Sequence, residues 1–172
     1  MIAYLRENRK GEKTPFITTL EYGRVGNNLR FKFCAHDSKL FSAYSEDNEP
    51  IYNGDVVEVF LCVGKDINEY YELEVAPNGA VFFAKIKNEN GNLKLEFLPK
   101  AFTADVTLTD NGYDVEIIVP YSAIKAGDHP IRFNAFRIET EGGHRDKHLL
   151  ALNPTLCGNF HCPDKFITFD ED

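Results

Sequence analysis

Apolar side chains recur at every second position through a series of short segments, the period of a strand with one packed face and one open face. Leu29, Phe31, Phe33 and Ala35 alternate with Arg30, Lys32, Cys34 and His36, after the turn residues Gly26-Asn27-Asn28. Val57, Val59 and Leu61 share a face, which puts Glu58 on the other, after Asn53-Gly54. Tyr71, Leu73 and Val75 oppose Tyr70, Glu72 and Glu74, and that segment stops at Pro77-Asn78-Gly79 before residues 80–87. Glu89-Asn90-Gly91-Asn92 leads to Leu93, Leu95 and Phe97. Ala104, Val106 and Leu108 then run into Asp110-Asn111-Gly112, the strongest short hairpin signal, with residues 113–119 as the return strand. Further strands are expected at 131–139, 149–152 and 166–169, with one short helical turn at Pro120–Ile124 opened by proline. About nine short strands with frequent turns predict an all-β, antiparallel β-sandwich of the immunoglobulin or jelly-roll kind. No repeat, low-complexity tract or linker interrupts it, so residues 1–172 are expected to form one domain.

Composition sharpens this reading and removes some partners. The 14 Phe and 8 Tyr beside a single Met fit sheet-forming segments. With 27 acidic against 19 basic side chains, the formal charge of −8 repels phosphate backbones and anionic lipid, so neither nucleic acid nor membrane is expected as a partner. The first residues lack the apolar core of a secretory signal and no segment is long enough to span a bilayer, which gives a cytoplasmic expectation. Of the four cysteines, Cys34 and Cys62 lie in apolar strand-like runs, where buried reduced thiols are expected.

A half-open sandwich can present a ligand with side chains at alternate positions of one sheet, aromatics to stack and polar groups to orient. Glu58, Glu72, Glu74 and Lys85 are assigned to the faces opposite their strands' apolar stripes, with Tyr52 and Tyr70 at strand mouths. Such a kit suits a sugar, whose hydroxyls take charged partners and whose C–H faces take rings. Charges alternating along a strand more commonly form a solvated face with cross-strand pairs.

Three runs resemble successive motifs of the family 9-like carbohydrate-binding modules: Tyr52-Asn53-Gly54-Asp55-Val56-Val57-Glu58-Val59-Phe60-Leu61, Tyr70 to Gly79, and Tyr113-Asp114-Val115-Glu116-Ile117-Ile118-Val119-Pro120. Arg132 to Glu139, Leu152-Asn153-Pro154-Thr155 and Asn159 to Phe166 resemble the late motifs, in the same order, so that the likeness covers roughly residues 14–170. The resemblance implies a β-sandwich related to DOMON-type domains, a non-catalytic module that grips a mono- or oligosaccharide, with bound structural calcium in many members. The family's stacking residues are typically tryptophans and this chain has none, so Tyr52 and Phe160 take that role. Mapped by motif, the polar positions are Glu58, Lys85, Arg137, Asn153 and Asn159, with His161 beside them. By strict alternation Arg137 shares a face with Phe133 and Ala135, unless a bulge re-aims it.

Cys157, His161 and Cys162 offer three soft ligands to zinc within six residues, without an evident fourth. For calcium, Asp47, Glu49 and Asp55 with nearby carbonyls are the oxygens on offer, without regular acidic spacing. There is no GxSxG, Gly-rich phosphate loop or HExxH. The rival to a binding module is a small intracellular carbohydrate-active enzyme or accessory subunit using Glu58, Glu72 and Glu74 as acid and base. An enclosed pocket with a carboxylate of raised pKa favours that rival, a shallow groove floored by an exposed ring favours the binder, and a featureless charged sheet favours an interaction domain.

Overall fold

The period-two pattern is realised in a computed structural model that describes residues 2–169. Its strands are β1 (Ile2–Tyr4), β2 (Arg6–Glu7), β3 (Thr18–Val25), β4 (Asn28–His36), β5 (Val56–Cys62), β6 (Glu69–Val75), β7 (Val81–Glu89), β8 (Asn92–Phe97), β9 (Thr103–Thr109), β10 (Gly112–Pro120), β11 (Arg132–Glu139), β12 (His148–Ala151) and β13 (Ile167–Thr168). They form two antiparallel sheets, ordered β1-β3-β4-β10-β9 and β2-β12-β11-β5-β6-β7-β8, with β13 paired to β11. The only helical pieces among the described residues are 3-10 turns at Ile51–Asn53, Tyr121–Ile124 and Pro163–Lys165. No helix of the described residues is long and apolar enough to cross a membrane.

Alternation predicts the packing between the sheets closely. Leu29, Phe31, Phe33 and Ala35 of β4 are buried while their neighbours are only half covered. They meet Val57, Val59, Leu61, Leu73, Val75, Phe83, Phe133 and Ala135 of the second sheet in one continuous core. Both hairpin signals hold. Asn90 and Gly91 take φ of 54° and 91°, the left-handed pair that a two-residue turn between twisted strands requires, and β7 and β8 pair across it. β9 and β10 pair across Asp110-Asn111.

Three strands were not predicted. β1 and β2 are short, and the chain passes from the first sheet to the second between them at buried Leu5. β3 reads TTLEYGRV, too polar to signal itself, and is fixed by eight-residue pairing with β4. The expectation for Cys34 is corrected: Cys62 is fully buried, but Cys34 is half-exposed on the outer face of β4, because its alternation partners are Phe33 and Ala35.

Candidate functional site

The outer face of the second sheet is not a solvated charged surface. All seven residues of β5 are buried, so this strand is covered on both sides. Its outward residues Val56, Phe60 and Cys62 join Tyr70, Phe82, Ala84, Phe136, Ile138 and Phe160 in a second apolar cluster. Three glutamates are set into that apolar ground. Glu58 lies directly across from Glu74 in the β5–β6 ladder, and Glu72 is two residues along β6 on the same face. They are 2%, 1% and 6% exposed for Glu58, Glu74 and Glu72. One carboxylate oxygen from each lies within 4.8 Å of those of the other two. One buried oxygen, Glu74 Oε2, has no hydrogen-bond partner among the described residues.

Burial in this setting disfavours the charged form. It pushes the carboxyls of Glu58 and Glu74 well above the ordinary glutamate value, and their neighbours' charges raise them further. Burial brings Glu72 up to about 7. Lys147, reaching in from the facing segment, partly offsets the effect on Glu58 and Glu74.

The glutamates floor a half-open cleft of about 890 Å³, walled by two loops. One wall is the 3-10 turn that carries Tyr52. Ile51 plugs the core below it, and Asp55 clamps its end, accepting from Phe41 N at 2.6 Å and from Thr140 N and Oγ1 at 2.8 and 2.7 Å. Gly54 passes so close to the neighbouring chain that a Cβ there would lie 2.6 Å from the Phe41 carbonyl oxygen. This turn holds the Tyr52 ring 40% exposed, edge-on to Phe82 at 6.2 Å, with the Lys147 ammonium 5.8 Å over it. Lys147 Nζ also donates to the Tyr52 carbonyl at 2.6 Å.

The other wall is the segment from Thr155 to Phe166, tied to the body of the protein by buried amides. Asn8 donates to Thr155 Oγ1 and the Cys157 carbonyl, and accepts from Thr155 N at 2.9 Å. Within the segment the Phe160 ring stacks on Phe136 at 4.2 Å. His161 Nδ1 meets the Tyr70 hydroxyl at 2.8 Å while Nε2 faces Glu72 at 3.9 Å. Burial lowers the imidazole to about 4 and raises the Tyr70 phenol, so a neutral ring and a protonated phenol share this hydrogen bond.

No family model and no curated protein sequence matches the chain. Solved structures do match in three dimensions. A Bacteroides uniformis protein, provisionally assigned to carbohydrate binding, aligns with a TM-score of 0.78 over 98% of this chain and 84% of that one, at 16% identity. A family 9 carbohydrate-binding module from Caldicellulosiruptor kristjanssonii in complex with cellotriose aligns with a TM-score of 0.66 over 96% and 79%, at 17% identity. The fold is that of the family 9 modules. A Caldicellulosiruptor kristjanssonii family 9 module in complex with glucose gives 0.63 over 96% and 82%, at 18% identity.

In this family 9-like fold the predicted site residues divide. Tyr52, Glu58, Asn159, Phe160 and His161 all line the cleft. Phe160 is only 7% exposed, since its stacking on Phe136 covers it, so Tyr52 is the open ring of the pair. Lys85 lies elsewhere: in β7 it follows Val81 and Phe83 on the inward-facing side and pairs with Glu69 at 3.6 Å. Arg137 obeys strict alternation and is fully buried between the sheets, donating to Thr18 Oγ1 and the His36 carbonyl at 2.9 Å and pairing with Asp37 and Glu139. No bulge turns it toward the cleft. Asn153 braces a loop, donating to the Lys165 carbonyl at 2.8 Å and exchanging hydrogen bonds with Asn134.

Side chains suggested for zinc and calcium are engaged with other partners. His161 turns to Tyr70 and Glu72, away from a common centre with Cys157 and Cys162, whose sulfurs are 3.5 Å apart. Asp47 caps Val81 N while Asp55 serves Phe41 and Thr140, so the two do not converge. Among the described residues, ligand-bearing side chains converge at Glu58–Glu72–Glu74 and at Asp37–Asp55–Glu139, and in the second group the guanidinium of Arg137 already serves as the cation. Lys147 and Phe82 were missed as cleft residues; Lys147 sits in a polar loop that gives no positional signal.

Proposed function

We propose that the protein is a non-catalytic saccharide-binding module whose ligand lies in the cleft over β5, β6 and β7. One observation carries this reading: an open aromatic ring, Tyr52, stands beside buried carboxylates, with the neutral His161 imidazole opposite, on the face of a fold whose solved neighbours hold cellotriose and glucose. A pyranose offers an apolar C–H face to such a ring and hydroxyls to the carboxyls and imidazole. Calorimetric titration with glucose, cellotriose and a panel of other mono- and oligosaccharides tests it. Binding at millimolar affinity or tighter that Tyr52→Ala or Glu58→Ala abolishes is expected; no heat from any sugar overturns the reading.

The raised carboxyls favour a second reading, a glycoside hydrolase with Glu72, near 7, as general acid. Its geometry is unfavourable. The three carboxylates stand side by side on one sheet face, whereas glycosidic cleavage uses a pair flanking the bond from both sides. Release of reducing ends from oligosaccharides, abolished by Glu72→Gln, would establish the enzyme instead.

A further inference from the structure

Three glutamates within 4.8 Å of one another on an apolar sheet are an unusual floor for a cleft that takes a neutral ligand. Ionised, Glu58 and Glu74 would set like charges directly opposite in the ladder, so in the empty cleft burial keeps protons on them. A buried carboxylate oxygen without a partner adds a desolvation cost, and Glu74 Oε2 is such an atom in a residue 1% exposed. Lys147 offsets part of this from a distance, but its ammonium donates to the Tyr52 carbonyl and to Asn53 Oδ1 and leaves Glu74 Oε2 without a donor among the described residues.

We infer that the sugar taken by this cleft is an amino sugar of the glucosamine class, with its protonated amine seated among Glu58, Glu72 and Glu74. This rests on the saccharide-binding reading above and specifies its ligand. A single ammonium group can span the cluster. Three N–H donors in tetrahedral directions, each about 2.8 Å from a charged oxygen, reach oxygens up to about 4.6 Å apart, and one oxygen from each glutamate lies no more than 4.8 Å from the others. A calcium ion asks for six to eight oxygens. The surrounding wall instead supplies Tyr52, Phe82, Leu93, Leu95 and Phe160, surfaces for the apolar side of a pyranose ring.

Glu58 and Glu74 are raised well above the ordinary value and Glu72 to about 7, while an ammonium ligand needs the carboxyls ionised, so its binding releases protons. The groups facing the cluster do not confuse that signal between pH 5.5 and 7. His161 is already neutral, the phenols of Tyr52 and Tyr70 are raised and stay protonated, and Lys147 is lowered from 10.5 with the glutamates acting to keep its charge. Rim groups such as Arg9 and His148 are common to every sugar tested and cancel against a neutral congener.

The experiment is calorimetry on the intact protein with three trisaccharides of one β-1,4-linked backbone: cellotriose, the glucosamine trimer and its N-acetylated form, each at pH 5.5 and 7 in two buffers of different ionisation enthalpy. The glucosamine trimer is expected to bind at least tenfold more tightly than both neutral sugars at pH 7, about 1.4 kcal/mol, to tighten from pH 5.5 to 7, and alone to release protons at pH 5.5, where its amines are already charged and take up none. Glu74→Gln should bring the ratio of affinities toward one; if that variant does not fold, proton release by the unaltered protein decides. Cellotriose binding as tightly as the amine, without proton release by either, overturns the inference and leaves the saccharide reading standing. No binding by any of the three overturns the inference, and no heat from the wider panel of sugars overturns the saccharide reading with it. Calcium chloride alone releasing the same protons and blocking the amine reassigns the cluster to a metal and overturns it as well.

Discussion

Replacing Glu72 by Gln tests how much this buried acid destabilises the fold. In the folded protein Glu72 holds its proton up to about 7, while in an unfolded chain it releases it near its ordinary value of 4.5. Between these values the folded state binds more protons than the unfolded state, so the contribution of this group to stability falls as pH rises. The difference of about 2.5 in pKa corresponds to about 3 kcal/mol once both states are ionised, and to less than about 1 kcal/mol at pH 5. His161 acts in the opposite sense: lowered to about 4, it contributes stability that is lost as pH falls below its ordinary value of 6.5. The unaltered protein can therefore show a shallow pH profile, but the His161 contribution is common to both proteins and cancels in their difference. Urea unfolding of the two proteins at pH 5, 6.5 and 8 should show Glu72→Gln gaining about 2 to 3 kcal/mol on the parent across that range. A difference that stays constant with pH, or shrinks, refutes the account of the cluster as buried acids holding protons.

Arg137→Ala removes the cation between Asp37 and Glu139 and should cost about 3 to 5 kcal/mol in urea unfolding; a loss under about 1 kcal/mol would contradict its placement between the sheets. Gly54→Ala forces a methyl group against the Phe41 carbonyl and should cost about 1 to 3 kcal/mol and weaken sugar binding by displacing Tyr52, read by calorimetry; an unchanged affinity separates the turn from the site. Cys157, exposed and with its thiol lowered by the Thr155 hydroxyl, should be the first cysteine alkylated by iodoacetamide at pH 7, ahead of buried Cys62, as mapped by mass spectrometry.

Much of this architecture is written in the period-two pattern, because the faces between the sheets are apolar and the turns carry their own chemistry. Leu29 to Ala35 and Val57 to Leu61 identify the packed faces without ambiguity, and Asn90-Gly91 and Asp110-Asn111-Gly112 fix two hairpins. β3 was illegible for the converse reason: its pairing with β4 is a long-range fact, and TTLEYGRV carries no alternation strong enough to announce it. Arg137 marks a different limit. Alternation assigns it correctly to the interior, but the partners that make a buried guanidinium tolerable, Thr18, His36 and Asp37, lie about 100 residues or more away in sequence.

The cleft itself left one signal in the sequence. β5 reads Val-Val-Glu-Val-Phe-Leu-Cys, an apolar run interrupted only by Glu58, and continuous apolar runs are the mark of strands covered on both faces. Read that way, Glu58 could not belong to a solvated surface, and its cross-strand neighbour Glu74 and near neighbour Glu72 had to be buried with it. What covers them, the Tyr52 turn and the segment held by Asn8 and Asn88, comes from distant parts of the chain, and no local pattern encodes it. Sequences fold well when local preferences agree with the global structure, and departures from that agreement collect where function requires them. Here three buried acids interrupt an otherwise consistent apolar sheet face. On the amino-sugar proposal, a bound ammonium lets them ionise, and the same cluster that weakens the empty protein as pH rises becomes the source of its selectivity.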